Sequence, residues 1–523
     1  LKTIFCSVNH WFYHWPAYFI FIIALVIGSF IYKDYGLSWD EQQQRGVGYV
    51  SLNYITDNDR TLFSFEDRDY GVALELPLIA LEKYFRLEDS KNIYLTRHYI
   101  LHVLFLLCSL SIYYLSYSLF KSRWIALFSM LALLLHPRIY AHSFFNSKDI
   151  PFMNIYLVCF STIFWADKQT KKIIPYMLLG LLTGLLINLR IMGLMFFMSV
   201  VAYLLLAIVY KKQSIKENLK IIIFFSLSTA ITLYFSFPYL WEEPLTNLIT
   251  IFNNMSQFRW NGNVLLAGNL VPASALPWYY FSLWFITTTP LLFLLLGGAG
   301  IILLAYKQLK TPQNLFSSAT NYHLLLYLFT FFASAIAVVI FKSVLYNGWR
   351  QLFFLYPAFV LLASYGLFHI NSYMQKNQFK LIIPAAVLTQ FILIALFYIF
   401  NHPLQHLYFN ELLSKKPNQL LKEYEYDYWG TSYKSALELI LKMDERKLIK
   451  VNVANWPGLL NTQILDKSSQ DRLSVEIKNN IDNADYFITN YGDPSYHYDF
   501  KNAKIIYTHI IQNSSVFSIW KTN

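Results

Sequence analysis

Pro16-Ala-Tyr-Phe-Ile-Phe-Ile-Ile-Ala-Leu-Val-Ile-Gly-Ser-Phe-Ile-Tyr32 holds no charged side chain, and Lys33-Asp34 closes it. A run of this kind suits an α-helix crossing a hydrocarbon core, which takes about 20 apolar residues. No small-residue cleavage site follows, so the run reads as a retained span and not as a removed signal. Lipid admits only helices and closed barrels, because backbone groups find no water there. Similar runs recur along the 523 residues, near 16–33, 94–120, 122–136, 152–167, 174–189, 191–210, 220–239, 279–306, 322–341, 352–371 and 380–400. Eleven spans are therefore expected, with the two chain ends on opposite sides. Composition agrees: 56% of residues are apolar and 14% charged, against about 25% charged in soluble domains, which excludes a wholly soluble enzyme.

The net charge of +11 does not form a continuous basic face, so no nucleic acid is expected as a partner. Its lysines and arginines fall in short clusters between apolar runs: Lys121 and Arg123; Lys168, Lys171 and Lys172; Lys211, Lys212, Lys216 and Lys220; Lys307 and Lys310; Lys376 and Lys380. All lie on one side of the threading, which the positive-inside rule makes cytoplasmic. The other side receives 34–92, 137–151, 188–193, 238–277, 341–351 and everything after Asn401. One alternative reads 174–210 as a single tilted helix and inverts everything downstream. Cys6, Cys108 and Cys159 lie beside or inside apolar stretches and form no metal or disulfide pattern.

Residues 1–400 read as a transmembrane domain and 401–523 as a small soluble α/β domain. The tail has a helical period at Ser432–Met443 and strand-like runs at Leu448–Ala454, Ala484–Thr489, Lys504–His509 and Val516–Trp520. There is no internal repeat and no Gly-rich phosphate loop.

Two polar clusters stand out. Gly36-Leu-Ser-Trp39-Asp40-Glu41 places adjacent carboxylates just beyond the first span. Partial desolvation there would raise the basicity of Asp40 and suit it to take a proton from a hydroxyl. A helix start, with Ser38 as cap and acids in the first turn, explains the same residues. The second cluster, His136-Pro-Arg138-Ile-Tyr-Ala-His142-Ser-Phe-Phe-Asn146-Ser-Lys148-Asp149-Ile-Pro151, returns to the same face. Its prolines mark helix boundaries, and Lys148 beside Asp149 also reads as a surface pair of little energetic worth. Arg190 interrupts an apolar run, where an arginine at the membrane centre costs about 2.5–3.5 kcal/mol on insertion scales. It either has a partner or sits at a hinge with Asn188. His98 and His102 share a helix face at metal-ligand spacing, which also suits interfacial hydrogen bonding.

The Asp-Glu pair after a first helix, followed by a second external Asp before a proline, resembles the GT-C glycosyltransferases, in their protein O-mannosyltransferase and lipid A aminoarabinose transferase branch. Pro277-Trp278-Tyr279-Tyr280 and Leu345-Tyr-Asn-Gly-Trp349-Arg350 add to the resemblance, which covers about residues 16–400. It implies transfer of a sugar from a polyprenyl phosphate donor to a protein, lipid A or glycan acceptor outside the cytoplasm, usually with inversion. Carried over by position, it makes Asp40 the base, Glu41 its acidic neighbour and Asp149 the second-loop acid. Leu74-Glu75-Leu76-Pro77 stands where the aminoarabinose group has a Lys-Pro-Pro-like step, so a phosphate-binding lysine is missing there.

A departing lipid phosphate also needs fixed cations. Arg138, Lys148, Arg190 and Arg350 are the candidates, with Trp39, Asn146, Trp278 and Trp349 as candidate substrate contacts. No cofactor is expected and no metal, since the mannosyltransferase branch generally uses none. The expected location is a bacterial inner membrane, with the site and tail facing the periplasm. The competing class is a transporter or flippase lined by Asn188 and Arg190. A noncatalytic anchor for the tail would hardly require eleven spans.

Overall fold

The computed structural model describes residues 2–210, 214–256, 259–311, 319–375, 380–413, 416–493 and 498–522. Helix α1 (Lys2–Ile31) is followed by a helical first loop of α2 (Glu41–Asp57), α3 (Thr61–Ser64) and α4 (Glu75–Tyr84). The bundle continues with α5 (Ser90–Phe120), α6 (Arg123–Leu134), α7 (Pro137–Phe145), α8 (Asp149–Asp167), α9 (Ile173–Leu189), α10 (Gly193–Tyr210) and α11 (Ile215–Ser236). After α12 (Pro244–Ser256) and the hairpin β1 (Asn263–Leu266) and β2 (Asn269–Pro272) come α13 (Tyr280–Thr288), α14 (Leu291–Lys310), α15 (Ala319–Ile340), α16 (Tyr356–Met374) and α17 (Ile382–Asn401). Among the described residues, eight helices are long and apolar enough to cross a membrane, nine if the bent pair α6–α7 counts as one span. The 173–189 and 193–209 helices are apolar but shorter. The chain is a polytopic helical membrane protein with a small sheet-bearing tail.

Departures from the expected spans have local causes. Helices α6 and α7 bend by 59°, because Pro137 opens α7 at its first turn and His136 caps it, its Nδ1 accepting from the Ile139 amide at 3.4 Å. The expected 279–306 span is broken at Thr289-Pro290, since proline cannot continue the helical ladder. The tail repairs that break: the Asn410 side chain donates to the Thr289 carbonyl at 2.7 Å, and its amide donates to the Thr287 carbonyl at 2.8 Å. The 174–210 region is two helices, with Arg190 in extended backbone between them. Between α14 and α16, a Cβ on Gly300 would collide with the Leu362 carbonyl, so these helices pack backbone to backbone, as small residues allow in lipid.

The tail carries α18 (Gln419–Glu423), α19 (Ser432–Met443) and a sheet of order β4-β3-β5-β7-β6. Strands β3 (Ile449–Val453), β4 (Leu473–Ile477) and β5 (Tyr486–Thr489) run parallel, while β7 (Ser514–Thr522) is antiparallel to β5 and to β6 (Ala503–Ile511). The expected helix and four strands are present. The sequence reading omitted β4 and the β1–β2 hairpin. The segments flanking α18 touch the bundle, Tyr408 through Arg138, Asn410 through Thr289 and Trp429 through His142.

Candidate active site

The adjacent carboxylates point different ways. Glu41 folds back so that its Oε1 accepts from the Ser38 amide at 2.7 Å, while its Oε2 meets His98 Nε2 at 2.8 Å. This closes the start of α2 and ties it to α5; Glu41 and His98 are both buried. Asp40 caps nothing with its side chain. It turns outward, with Oδ2 at 3.1 Å from both Lys148 Nζ and Arg350 Nη1.

Asp149 is placed by Asn146. The Asn146 Oδ1 accepts from the Asp149 amide at 2.8 Å and the Lys148 amide at 3.2 Å, and its Nδ2 donates to Asp149 Oδ2 at 2.9 Å. Asparagine at a helix start thereby satisfies amides that have no intrahelical partner. The buried Asp149 carboxylate then bridges two arginines, Arg190 on Oδ1 and Arg350 on Oδ2 at 3.2 Å. Asp40, Lys148, Asp149, Arg190 and Arg350 thus form one network, three cations against two carboxylates. Arg190 Nε and Arg350 Nε are buried and make no hydrogen bond, so the network retains donors for a further anion.

Burial pushes the Asp40 carboxyl up, but Lys148 and Arg350 outweigh it and hold Asp40 below the usual carboxylate range. The expected rise in basicity is thus reversed, because paired cations dominate over desolvation. Asp67, from the same first loop, is raised, chiefly by burial.

A cavity of about 370 Å³ leads to the network. Tyr70, Arg190, Tyr346 and Gln351 line its polar part; Met195, Phe252, Val338 and Phe341 line its apolar part. The cavity follows the apolar helices α10 and α15, so it joins a lipid-compatible groove to an arginine.

Several other candidates lie elsewhere. Arg138 is buried, donates Nε to the Tyr408 carbonyl at 3.0 Å and stacks on Phe409 at 4.6 Å, holding the tail and not the network. Trp349 is buried and donates to Thr288 Oγ1 at 2.8 Å, so its ring is core. Trp278 is 73% exposed and away from the cavity. Trp39 is half-exposed beside Asp40. Asn188 is occupied structurally, donating to the Ser236 carbonyl at 2.8 Å and accepting from the Ala73 amide at 2.9 Å. It also lines the cavity. His102 meets Ser143 at 2.8 Å and stacks on Phe144, and shares no ligand with His98. Among the described residues no group of three His, Cys, Asp or Glu side chains could hold a metal ion. Glu75, at the missing Lys-Pro-Pro position, pairs with Arg97.

Sequence reading missed the tail's contribution. Glu425 Oε2 accepts from the Asn347 amide at 3.0 Å, and the Arg350 guanidinium lies 4.5 Å from the Trp429 ring. The only local signal is the acidic and aromatic density of Tyr424-Glu-Tyr-Asp-Tyr-Trp-Gly430 within a polar, mixed-charge tail.

The fold and this network define an integral membrane protein with an anion-ready pocket at the head of an apolar groove. No protein-family description and no curated protein matches the chain. Among solved structures, it is similar to the apo oligosaccharyltransferase of Archaeoglobus fulgidus at 11% identity and TM-score 0.49, over 88% of this chain and 65% of that one. It thus spans just under two thirds of that enzyme's length. The oligosaccharyltransferase AglB of the same organism, in complex with an inhibitory peptide and a dolichol-phosphate, gives 12% identity, TM-score 0.46, and 92% and 70% coverage. ArnT from Cupriavidus metallidurans, bound to undecaprenyl phosphate, gives 11% identity, TM-score 0.48, and 96% and 97% coverage.

Proposed function

We propose that this chain is an integral-membrane glycosyltransferase that moves a sugar from a polyprenyl phosphate to an extracytoplasmic hydroxyl or phosphate. The observation that carries the reading is an apolar groove that ends at Arg190, which Asp149 links to Arg350 and so to Asp40 and Lys148. An isoprenoid chain is purely apolar and suits the Met195–Phe341 end, while a phosphate suits two guanidiniums with spare donors.

Transfer is a single displacement with inversion. The acceptor oxygen forms a bond to the anomeric carbon as the bond from that carbon to the phosphate oxygen breaks. The electron pair leaves on the phosphate, where the fixed cations stabilise it without reorganisation. The acceptor proton passes to Asp40 and then to water. A bound donor phosphate draws on the same Lys148 and Arg350 that depress Asp40. Donor binding therefore restores basicity to Asp40 at the moment it is used.

The test is mass spectrometry of glycoproteins and envelope lipids from cells with and without the gene, followed by transfer assays on the purified chain. Loss of one glycan modification, restored by the parent and not by Asp40→Asn, is expected. Movement of a labelled substrate across liposomes without consumption of any lipid phosphate donor would replace this reading with transport.

A further inference from the structure

Residues 424–430 form a strap that touches the charged network from two sides, at the loop that carries Asp40 and at the turn that carries Arg350. On the first-loop side, the Trp429 carbonyl accepts from the Trp39 amide at 3.3 Å, next to Asp40. Asn461 reinforces this contact, donating to the Leu37 carbonyl at 3.0 Å and the Gly430 carbonyl at 3.2 Å. The fit is tight enough that a Cβ on Gly36 would collide with the Thr431 carbonyl. On the other side, the Trp429 ring faces Arg350, and Glu425 holds the Asn347 amide. Asn347 and Gly348 form a left-handed turn, φ 58° and 75°, immediately before Trp349 and Arg350. A side chain that accepts from such a turn fixes the direction in which the next residues leave it.

The strap itself is anchored. Buried Asp427 accepts from Ser432 Oγ at 2.5 Å and meets His406 at 3.1 Å, and Tyr426 donates to the Ile511 carbonyl at 2.8 Å in the sheet. The Trp429 indole donates to His142 at 3.2 Å.

We infer that the strap is a positioning element of the charged network: Trp429 and Glu425 together set the separation of Asp40 and Arg350, and the charge on Glu425 controls how firmly Arg350 holds an anionic ligand. The identity of that ligand as a polyprenyl phosphate rests on the function proposed above. The groups facing Glu425 are Arg350 ahead of α16, Tyr280 of α13, Tyr428 of the strap itself, and the Asn347 and Gly348 amides. Burial pushes the Glu425 carboxyl up to about 8, outweighing the two amides and Arg350. Below that pH Glu425 is neutral, and Arg350 is free to share its charge with a phosphate. Above it, the carboxylate on the Asn347 amide adds negative charge beside the Arg350 turn and opposes the phosphate there.

The experiment uses the full chain in nanodiscs, with decaprenyl phosphate as the probe and Glu425→Gln, Glu425→Ala and Trp429→Leu as variants. Affinity of the parent is expected to fall about tenfold between about pH 7 and about pH 9, the scale of one unit of linked ionisation. Glu425→Gln keeps an acceptor for Asn347 and has no charge to gain, so its affinity is expected to lack that fall. The lipid phosphate's own ionisation is common to both. Glu425→Ala is expected to bind weakly at every pH. Amide exchange is the readout that needs no ligand: Trp429→Leu is expected to deprotect both the peptide containing Asp40 and the peptide containing Arg350. A Glu425→Gln profile identical to the parent's, or unchanged exchange in both peptides, would overturn the inference. A parent that binds no decaprenyl phosphate while both peptides respond as expected supports the strap and refutes the donor assignment.

Discussion

Asp40→Asn separates binding from transfer. In the parent, Asp40 Oδ2 lies 3.1 Å from Lys148 Nζ and from Arg350 Nη1. At that distance each pair carries a gross attraction of about 5 kcal/mol at an effective dielectric of about 20. Desolvation offsets most of it. The asparagine retains an oxygen for both cations, and Arg350 keeps Asp149 at 3.2 Å, so the fold is expected to lose no more than about 1 kcal/mol. The charge balance shifts further, to three cations against one carboxylate, which strengthens attraction for a phosphate. Donor affinity is therefore expected to rise, while turnover falls by about 10²–10⁴, the usual contribution of a positioned proton acceptor. The assay is kcat and donor KM on the purified chain, with melting temperature as control. Turnover at the parental rate would refute the assignment of Asp40 as base; lost turnover accompanied by lost donor binding would make Asp40 a structural partner of the cations. The pH dependence follows from the direction of the shift. Because Asp40 is held below the usual carboxylate range, its contribution to stability is complete above about pH 4 and is lost as pH falls through the depressed value.

Asp149→Asn removes the carboxylate between two arginines and is expected to destabilise the chain by about 3–5 kcal/mol, since it leaves buried guanidinium charge uncompensated; a melting curve in detergent checks it, and an unchanged midpoint would contradict it. Glu41→Gln breaks the His98 contact and is expected to lower the melting temperature while leaving the pH profile of transfer in place, because Glu41 faces α5 and not the network. Ala337→Trp, in the wall of the groove, is expected to raise KM for a long-chain polyprenyl donor far more than for a short-chain analogue; an equal effect on both would place the lipid elsewhere.

The helical class and most span positions were legible because apolar runs of sufficient length have few other fates. The grouping of Asp40, Lys148, Asp149, Arg190 and Arg350 was partly legible for the same reason: a charge at a membrane boundary is costly unless it is matched, so each marks a place where another charge must come. Direction was not legible. Glu41 and Asp40 are neighbours in sequence, yet His98 claims one and Lys148 the other. Arg138 has the same local credentials as Lys148, but Tyr408 and Phe409, some 270 residues away, turn it into a brace. Glu425 and Trp429 could not be given a role because nothing in a polar tail indicates which acid will reach the charged network; that depends on which turn it meets.

The strap is made after every bundle helix, yet it holds the Asp40 and Arg350 ends of the charged network together. A nascent chain with all its helices inserted still lacks that clasp, so its cations are not yet locked in register. A fragment truncated before residue 424 is therefore expected to enter the membrane with its helices and yet lack the clasp.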